Sequence, residues 1–299
     1  MSAARDLLAG ELLAGGEGAR IAVEALAVLA GLKPLARFTA GRDSAARLCA
    51  LLDACGLRHG QYVPPPDDWG YRHATAAERA AFSRSDVRVY YALDADALEQ
   101  GLDAQRRQDN VALGRALGYP ACCIAANEYF GAAPMTDLLR VARTPGQRDW
   151  RLNVFLTEME VGRGSPYYLI SHFPCHLGCR ASIAYAAALL DALRETVPAF
   201  AAQLERLLPL PLLLRDEEAP PEARRYGNFG AQLYGGGVGD AVFYQGWRPL
   251  RSSDRLPEAR LDQGDCIEWQ QEDLCVLNAR DGREVARLPT ERWHLVAFQ

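Results

Sequence analysis

The sequence predicts an α+β (or α/β) protein, with a mixed, mostly helical N-terminal domain at residues 1–215 and a small all-β domain at residues 226–299. Two observations predict this division. Apolar residues recur at helical spacing in much of the first part, whereas the last part is rich in glycine, tryptophan and alternating apolar positions. Between them, residues 216–225 combine an acidic run with a proline pair, which is typical of a linker.

The first 56 residues are predicted to form helices. Ala19–Ala30 and Ser44–Cys55 carry apolar residues at a spacing that places them on one face of a helix. Gly31 and Gly56 follow these runs. Glycine is the usual residue at a helix end, because it adopts a positive φ without strain.

The middle of the chain alternates between strand and helix patterns. Asp86–Leu93 is β-branched and aromatic and is predicted to be a strand. Ala97–Leu117 is predicted to be one long helix, and Pro120 starts another, since proline is favoured at the first helical position. Tyr167–Ser171 is predicted to be a short apolar strand, and Cys175–Glu195 is the clearest helical pattern in the sequence.

The last part of the chain shows alternation with a period of two, which predicts strands. These strands are Asp240–Tyr244, Asp265–Gln270, Leu274–Asn278 and Trp293–Phe298. Arg280–Arg283, which reads Arg-Asp-Gly-Arg, is a hairpin turn signal. The glycine run Gly235–Gly239 lacks the lysine and serine of a phosphate-binding loop and is predicted to be a turn.

Composition narrows the class of protein. A hydrophobic content of 49% and a net charge of -5 describe a globular chain without the basic field that would attract nucleic acid. No stretch of about 18 uncharged apolar residues occurs, so neither a membrane span nor a membrane partner is predicted. Lys33 is the only lysine, and the arginine and alanine bias indicates a GC-rich bacterial source. We expect a cytoplasmic protein; its oligomeric state is left open.

Two cysteine segments are built alike. Gly118–Cys123 reads Gly-Tyr-Pro-Ala-Cys-Cys, and Ser171–Cys179 reads Ser-His-Phe-Pro-Cys-His-Leu-Gly-Cys. Each has an aromatic residue, a proline, a pair of cysteines and then an alanine-rich run. The prolines predict that both pairs lie at helix N-termini, where the helix dipole favours thiolates. Four such thiolates predict a site for a soft metal or an iron–sulfur cluster, because clustered cysteines in a reducing compartment are more often ligands than disulfides.

Spacing favours an iron–sulfur cluster, of the 4Fe–4S kind, over a single zinc ion. Cys175 and Cys179 are four apart and would share a helix face, but Cys122 and Cys123 would point about 100° apart on a helix. Structural zinc sites usually have two cysteine pairs spaced two to four residues apart, whereas iron–sulfur clusters accept more varied spacings. A single zinc ion, a redox dithiol and simple buried cysteines remain alternatives.

Three polar residues beside the second pair are candidate catalytic groups. His172 and His176 flank Cys175 closely and could act as a further ligand, a hydrogen-bond donor or a general acid/base. Arg180 follows Cys179 and could bind an anionic substrate. The leading hypothesis is therefore an iron–sulfur enzyme acting on a small molecule. The alternatives are a zinc-stabilised module that binds a protein or RNA partner, and a thiol redox protein.

The two segments, Leu117–Cys123 and His172–Cys179, resemble those of a prokaryotic family of uncharacterised activity. Its members carry Gly-Tyr-Pro-x-Cys-Cys followed, roughly fifty residues later, by His-x-Pro-Cys-x-x-x-Cys. The resemblance covers Val87 to Leu193. It implies no particular reaction and does not extend to the predicted β domain.

Overall fold

The computed structural model describes residues 2–68, 76–130, 137–156, 166–216, 228–238, 240–249 and 259–299. The α-helices are α1 (Ser2–Ala14), α2 (Gly16–Leu29), α3 (Arg42–Ala54), α4 (Ala76–Ser85), α5 (Ala95–Arg106), α6 (Asn110–Ala116), α7 (Ala121–Phe130), α8 (Asp137–Arg143), α9 (Arg180–Thr196) and α10 (Pro198–Leu207). A 3-10 helix covers Trp150–Leu152.

The strands are β1 (Leu35–Gly41), β2 (Arg58–Tyr62), β3 (Asp86–Ala92), β4 (Leu212–Asp216), β5 (Asn228–Val238), β6 (Ala241–Pro249), β7 (Cys266–Gln270), β8 (Asp273–Asn278), β9 (Arg283–Pro289) and β10 (Trp293–Val296). Helices dominate the first two thirds of the described residues, and most strands follow them. The predicted α+β class is therefore confirmed. No helix among the described residues is long and apolar enough to span a membrane.

The chain forms two compact units, each assembled from two stretches. One unit contains residues 1–132 and 184–202, and the other contains residues 133–183 and 203–299. The predicted linker lies outside the described residues except for its first position, so the predicted division at that linker stays a prediction.

The first unit is built around an antiparallel three-stranded sheet in the order β1-β3-β2. Buried side chains of this sheet pack with those of α5 and α6. The resulting core consists of Leu35, Tyr90, Ala92, Leu98, Leu102, Ala104, Leu113 and Leu117. The prediction that the first 56 residues are entirely helical is wrong, because β1 occupies Leu35–Gly41. Ala36, Phe38 and Ala40 are buried while Arg37 and Thr39 are exposed, which is the alternation of a strand.

The predicted helix over Ala97–Leu117 is two helices, α5 and α6. Gln108 adopts a left-handed φ of 54° between them. The Asp109 carboxylate then accepts a hydrogen bond from the Ala112 amide at 2.9 Å and so caps α6. The break depends on a polar side chain that bonds to a backbone amide. A pattern of apolar residues does not record such a bond, so it predicted one continuous helix.

The second unit contains an antiparallel seven-stranded sheet in the order β10-β4-β5-β6-β7-β8-β9. Its core consists of Leu213, Ala231, Leu233, Val242, Tyr244, Ala259, Leu261, Ile267, Leu274, Val276, Leu288, Trp293 and Leu295. The four strands predicted from alternation are confirmed as β6, β7, β8 and β10, and the predicted hairpin turn joins β8 to β9, with Gly282 at a φ of 68°.

Two further predictions in this unit are wrong. The glycines at 235–237 lie inside β5 rather than in a turn, and a Cβ atom at Gly235 would collide with the Phe243 carbonyl of β6. Tyr167–Ser171 is irregular and not a strand. Tyr168, Leu169 and Ile170 are each at most 1% exposed, so their apolar pattern reflects burial and not pairing in a sheet.

Candidate metal centre

The first cysteine pair lies in the first turn of α7. Helix α6 ends in a turn in which the Gly118 amide donates to the Arg115 carbonyl and the Tyr119 amide donates to the Gly114 carbonyl. This is the Schellman arrangement, and Gly118 supplies its left-handed residue with a φ of 73°. Pro120 follows, and its carbonyl accepts a hydrogen bond from the Cys123 amide at 2.9 Å. The predicted position of this pair at a helix N-terminus is confirmed.

The second pair lies in a turn that precedes its helix. Helix α9 begins at Arg180, so the predicted helix start at Cys175 and the shared helix face of Cys175 and Cys179 are wrong. The Cys179 amide donates to the His176 carbonyl at 3.1 Å, and the Cys179 carbonyl accepts from the Ile183 amide at 2.9 Å. Of this second pair, Cys179 alone therefore lies at the N-terminus of α9.

A neighbouring segment explains why the helix starts late. The Leu177 carbonyl accepts a hydrogen bond from the Asp149 amide at 2.9 Å, so it is bonded outside its own segment. Gly178 packs so closely that a Cβ atom there would lie 2.8 Å from the Gln147 carbonyl oxygen. These contacts hold residues 175–178 as a turn against residues 147–149.

The four cysteines come together in one cluster. The Sγ atoms of Cys122, Cys123, Cys175 and Cys179 all lie within 4.8 Å of one another, and those of Cys122 and Cys123 are 4.0 Å apart. Cys123 and Cys179 are buried, Cys175 is partly buried and Cys122 is exposed. Within the described ranges, this is the one group of three or more potential metal ligands. Four thiols so close together can bind a metal ion.

The two histidines each make a hydrogen bond beside the second cysteine pair. His172 is buried, and its Nε2 atom lies 2.8 Å from the hydroxyl oxygen of Ser182, which is fully buried in α9. His176 accepts a hydrogen bond from the Gly178 amide on Nδ1 at 3.2 Å. Arg180 is exposed in the first turn of α9. A catalytic role for His172, His176 or Arg180 stays a prediction.

Arg140 is a neighbour of the site that the sequence did not reveal. Its guanidinium is buried and donates to the Cys175 carbonyl at 3.1 Å and to the Pro174 carbonyl at 3.5 Å. Arg140 belongs to α8, 35 residues before Cys175, and no sequence pattern connects the two. The contact between Ser182 and His172 is likewise not predictable from the sequence, because a serine in an alanine-rich helix is typical of a packing residue.

The remaining four cysteines are buried in the two cores and separate from this cluster. Burial raises the pKa of the Cys275 thiol to about 11, and it also raises the pKa values of Cys49, Cys55 and Cys266. None of the eight cysteines forms a disulfide.

Thiol alkylation is therefore expected to separate the two classes of cysteine. A raised pKa lowers the thiolate fraction at a given pH, so that about one Cys275 thiol in a thousand is ionised at pH 8. With any bound metal removed at pH 8, iodoacetamide should modify Cys122 first and leave the four core cysteines intact. Peptide mass mapping checks this, with denatured protein as the fully modified control. Early modification of Cys275 in the native protein would contradict it.

Comparison of the chain with family models, with curated proteins and with solved structures finds no match. The resemblance of the two cysteine segments to a prokaryotic family stays a prediction. The chemistry of the site therefore rests on its own side chains.

Proposed function

We propose that the chain is a metal–thiolate protein in which Cys122, Cys123, Cys175 and Cys179 hold one tetrahedral metal ion, zinc in the first instance. The observation that carries this proposal is the 4.8 Å limit on the separation of the four sulfur atoms. The ion would stabilise the fold by joining two segments that are about fifty residues apart in the sequence.

The sulfur separations support a single ion better than a four-iron cluster. Zinc–sulfur bonds of about 2.3 Å in a tetrahedron place the sulfur atoms about 3.8 Å apart. The 4.0 Å separation of the Cys122 and Cys123 sulfurs is close to this value. A four-iron cluster places each thiolate on a different iron atom, with sulfides between the irons, and this requires its cysteine sulfurs to be farther apart.

The surroundings of the cysteines favour negative charge, as this centre requires. A divalent ion with four thiolates carries a net charge of about −2, because each ligand binds as its deprotonated form. Cys122 and Cys123 lie in the first turn of α7 and Cys179 directly precedes α9, and the dipole of a helix favours negative charge at its N-terminus. Arg140 adds a buried positive charge at the backbone of Cys175.

The exposure of Cys122 favours a second candidate, the iron–sulfur enzyme. A catalytic centre needs one accessible side, and Cys122 is exposed while Cys175 is partly exposed. In this candidate a small-molecule substrate approaches from that side, and His172, His176 and Arg180 are the groups available to transfer a proton or bind an anion. Either candidate fits a reducing, cytoplasmic location, because clustered cysteines in such a compartment are more often metal ligands than disulfides.

Metal analysis after anaerobic purification tests both candidates. We expect a colourless protein with one zinc ion per chain, and replacement by cobalt should give the absorption of a tetrahedral thiolate site. A brown protein with iron and acid-labile sulfide would reject zinc and establish the cluster. A protein that binds neither metal and keeps its thermal midpoint in a chelator would overturn both.

Arg140 is expected to influence metal affinity through the backbone of Cys175. Replacing Arg140 with methionine removes the buried charge and leaves the Pro174 and Cys175 carbonyls without that donor. We expect zinc affinity to fall about ten- to hundredfold, as is usual for residues that support metal ligands, with partial recovery in Arg140→Lys. Competition with a chromophoric chelator measures it.

The matched control for Arg140 is Arg143, an exposed arginine of the same helix that donates to His294. Arg143→Met should bind zinc as the wild type does. Equal affinities in Arg140→Met and Arg143→Met would exclude the role assigned to Arg140.

A further inference from the structure

Lys33 stands apart from every other basic residue of the chain. It is the only lysine among 33 basic residues, the rest of which are arginines. It follows α2 and lies two residues before β1, and its side chain is only 3% exposed. Burying an ammonium group costs free energy unless the charge is paired. A lysine buried to this extent therefore needs partners in its surroundings.

Lys33 contacts two partners. Its ammonium group donates a hydrogen bond to Oε2 of Glu24 in α2, whose side chain is 5% exposed. The same ammonium lies over the ring of Tyr119, 5.6 Å from the ring centroid, within the range of a cation–π interaction. Tyr119 is the aromatic residue of the first cysteine segment.

The backbone around Lys33 meets the same segment. A Cβ atom at Gly118 would lie 2.9 Å from Cδ of Pro34 and 3.5 Å from Cβ of Lys33. The Gly118–Pro120 turn therefore rests directly on Lys33 and Pro34. Because the Pro120 carbonyl accepts from the amide of Cys123, the position of this turn sets where α7 begins.

We infer that Lys33, paired with Glu24, is a positioning residue for the metal centre. It fixes the position of the Tyr119 ring and of the turn that places Cys122 and Cys123 in the cluster. The inference rests on the proposed metal-binding function and extends it to a residue about ninety positions before the first ligand. A compact ammonium can pair with one carboxylate oxygen and face a ring at once, whereas the planar guanidinium of arginine needs a flat, wider space.

The test measures zinc affinity in full-length variants by competition with a chromophoric chelator. The main variant is Lys33→Met combined with Glu24→Gln, because replacing both partners of a buried ion pair with neutral residues of similar volume avoids leaving an unpaired charge. We expect the thermal midpoint of the metal-free protein to stay near that of the wild type, while zinc affinity falls about tenfold or more. The cobalt-substituted protein should show altered thiolate absorption.

A second pair of variants keeps the inference testable if the first does not fold. Tyr119→Leu removes the ring and is expected to lose zinc affinity to a similar extent, and Tyr119→Phe, which keeps the ring, should recover it. Adding Tyr119→Leu to the Lys33 and Glu24 changes should cause little further loss, since the three residues act together. The control is Arg47→Met, which breaks the exposed Arg47–Glu11 ion pair at 3.4 Å and should not change affinity.

The outcomes distinguish a failure of the role of Lys33 from a failure of the proposed metal-binding function. If the wild type binds neither zinc nor cobalt, the metal-binding function itself fails. If the wild type binds zinc and both Tyr119→Leu and the Lys33 and Glu24 variant bind it equally tightly, the function stands and the role of Lys33 is overturned.

Discussion

Cys123→Ala and Cys179→Ala proteins are expected to be isolated without metal and with a much lower thermal midpoint. Both side chains are buried, at 1% and 3% exposure, so no water can readily take the vacated ligand position. A ligand present at a thousand times its dissociation constant stabilises a fold by about 4 kcal/mol, and a structural zinc site contributes at least this much. Metal-to-protein ratios and thermal unfolding with and without a chelator measure the loss.

The exposed ligand should behave differently from the buried ones. Cys122 is accessible, so water can replace its thiolate, and we expect Cys122→Ala to keep part of its metal. Cys275→Ala is the matched control, because it removes a buried thiol of β8 outside the cluster. Full metal content in Cys123→Ala or Cys179→Ala would reject these residues as ligands.

The second large effect is expected at Asp68, and it does not depend on whether the protein binds a metal. Asp68 is 2% exposed, and its carboxylate accepts hydrogen bonds from both Nη atoms of Arg88, at 3.0 and 2.6 Å. It also accepts from Gln105 at 3.2 Å and from the Tyr62 hydroxyl at 3.3 Å. Asp68→Ala would remove the carboxylate that pairs with the buried Arg88 guanidinium, and losing one partner of a buried ion pair typically costs 3–5 kcal/mol of unfolding free energy.

Denaturant unfolding followed by tyrosine and tryptophan fluorescence measures this effect. The compensated variant, Asp68→Leu with Arg88→Met, should recover most of the loss, because it leaves neither charge behind. Asp53→Ala, at a carboxylate whose side chain is 70% exposed, is the control and should change stability by less than about 0.5 kcal/mol. A loss below about 1 kcal/mol in Asp68→Ala would show that the network contributes little.

Features that depend on a few adjacent residues could be predicted from the sequence. Gly31, Gly56 and Gly282 all adopt positive φ where the sequence predicts a helix end or a hairpin turn. The four cysteines that the sequence groups together lie in one cluster. In each case the signal is local, a glycine after an apolar run or a proline before a pair of cysteines.

Features that depend on distant contacts could not be predicted. The turn at Cys175–Gly178 is held by residues 147–149, so the apolar run that follows it predicted a helix start five residues too early. Strand β2, whose sequence is Arg-His-Gly-Gln-Tyr, has almost no apolar character and exists because it pairs with β3. The support that Arg140 and Lys33 give the cysteine segments is likewise invisible without the fold.

The place of β4 in the seven-stranded sheet has a consequence for how the sheet assembles. β4 pairs with β10, and Leu213 lies opposite Leu295, although residues 217–292 separate the two strands. The β7–β8 and β8–β9 pairs join neighbouring segments and can form quickly, whereas closing a loop of this length is slow. Refolding is therefore expected to pass through a state in which β4–β9 are paired while β10 has not yet joined β4 and Trp293 and Leu295 still face water, and recovery should fall as the protein concentration rises.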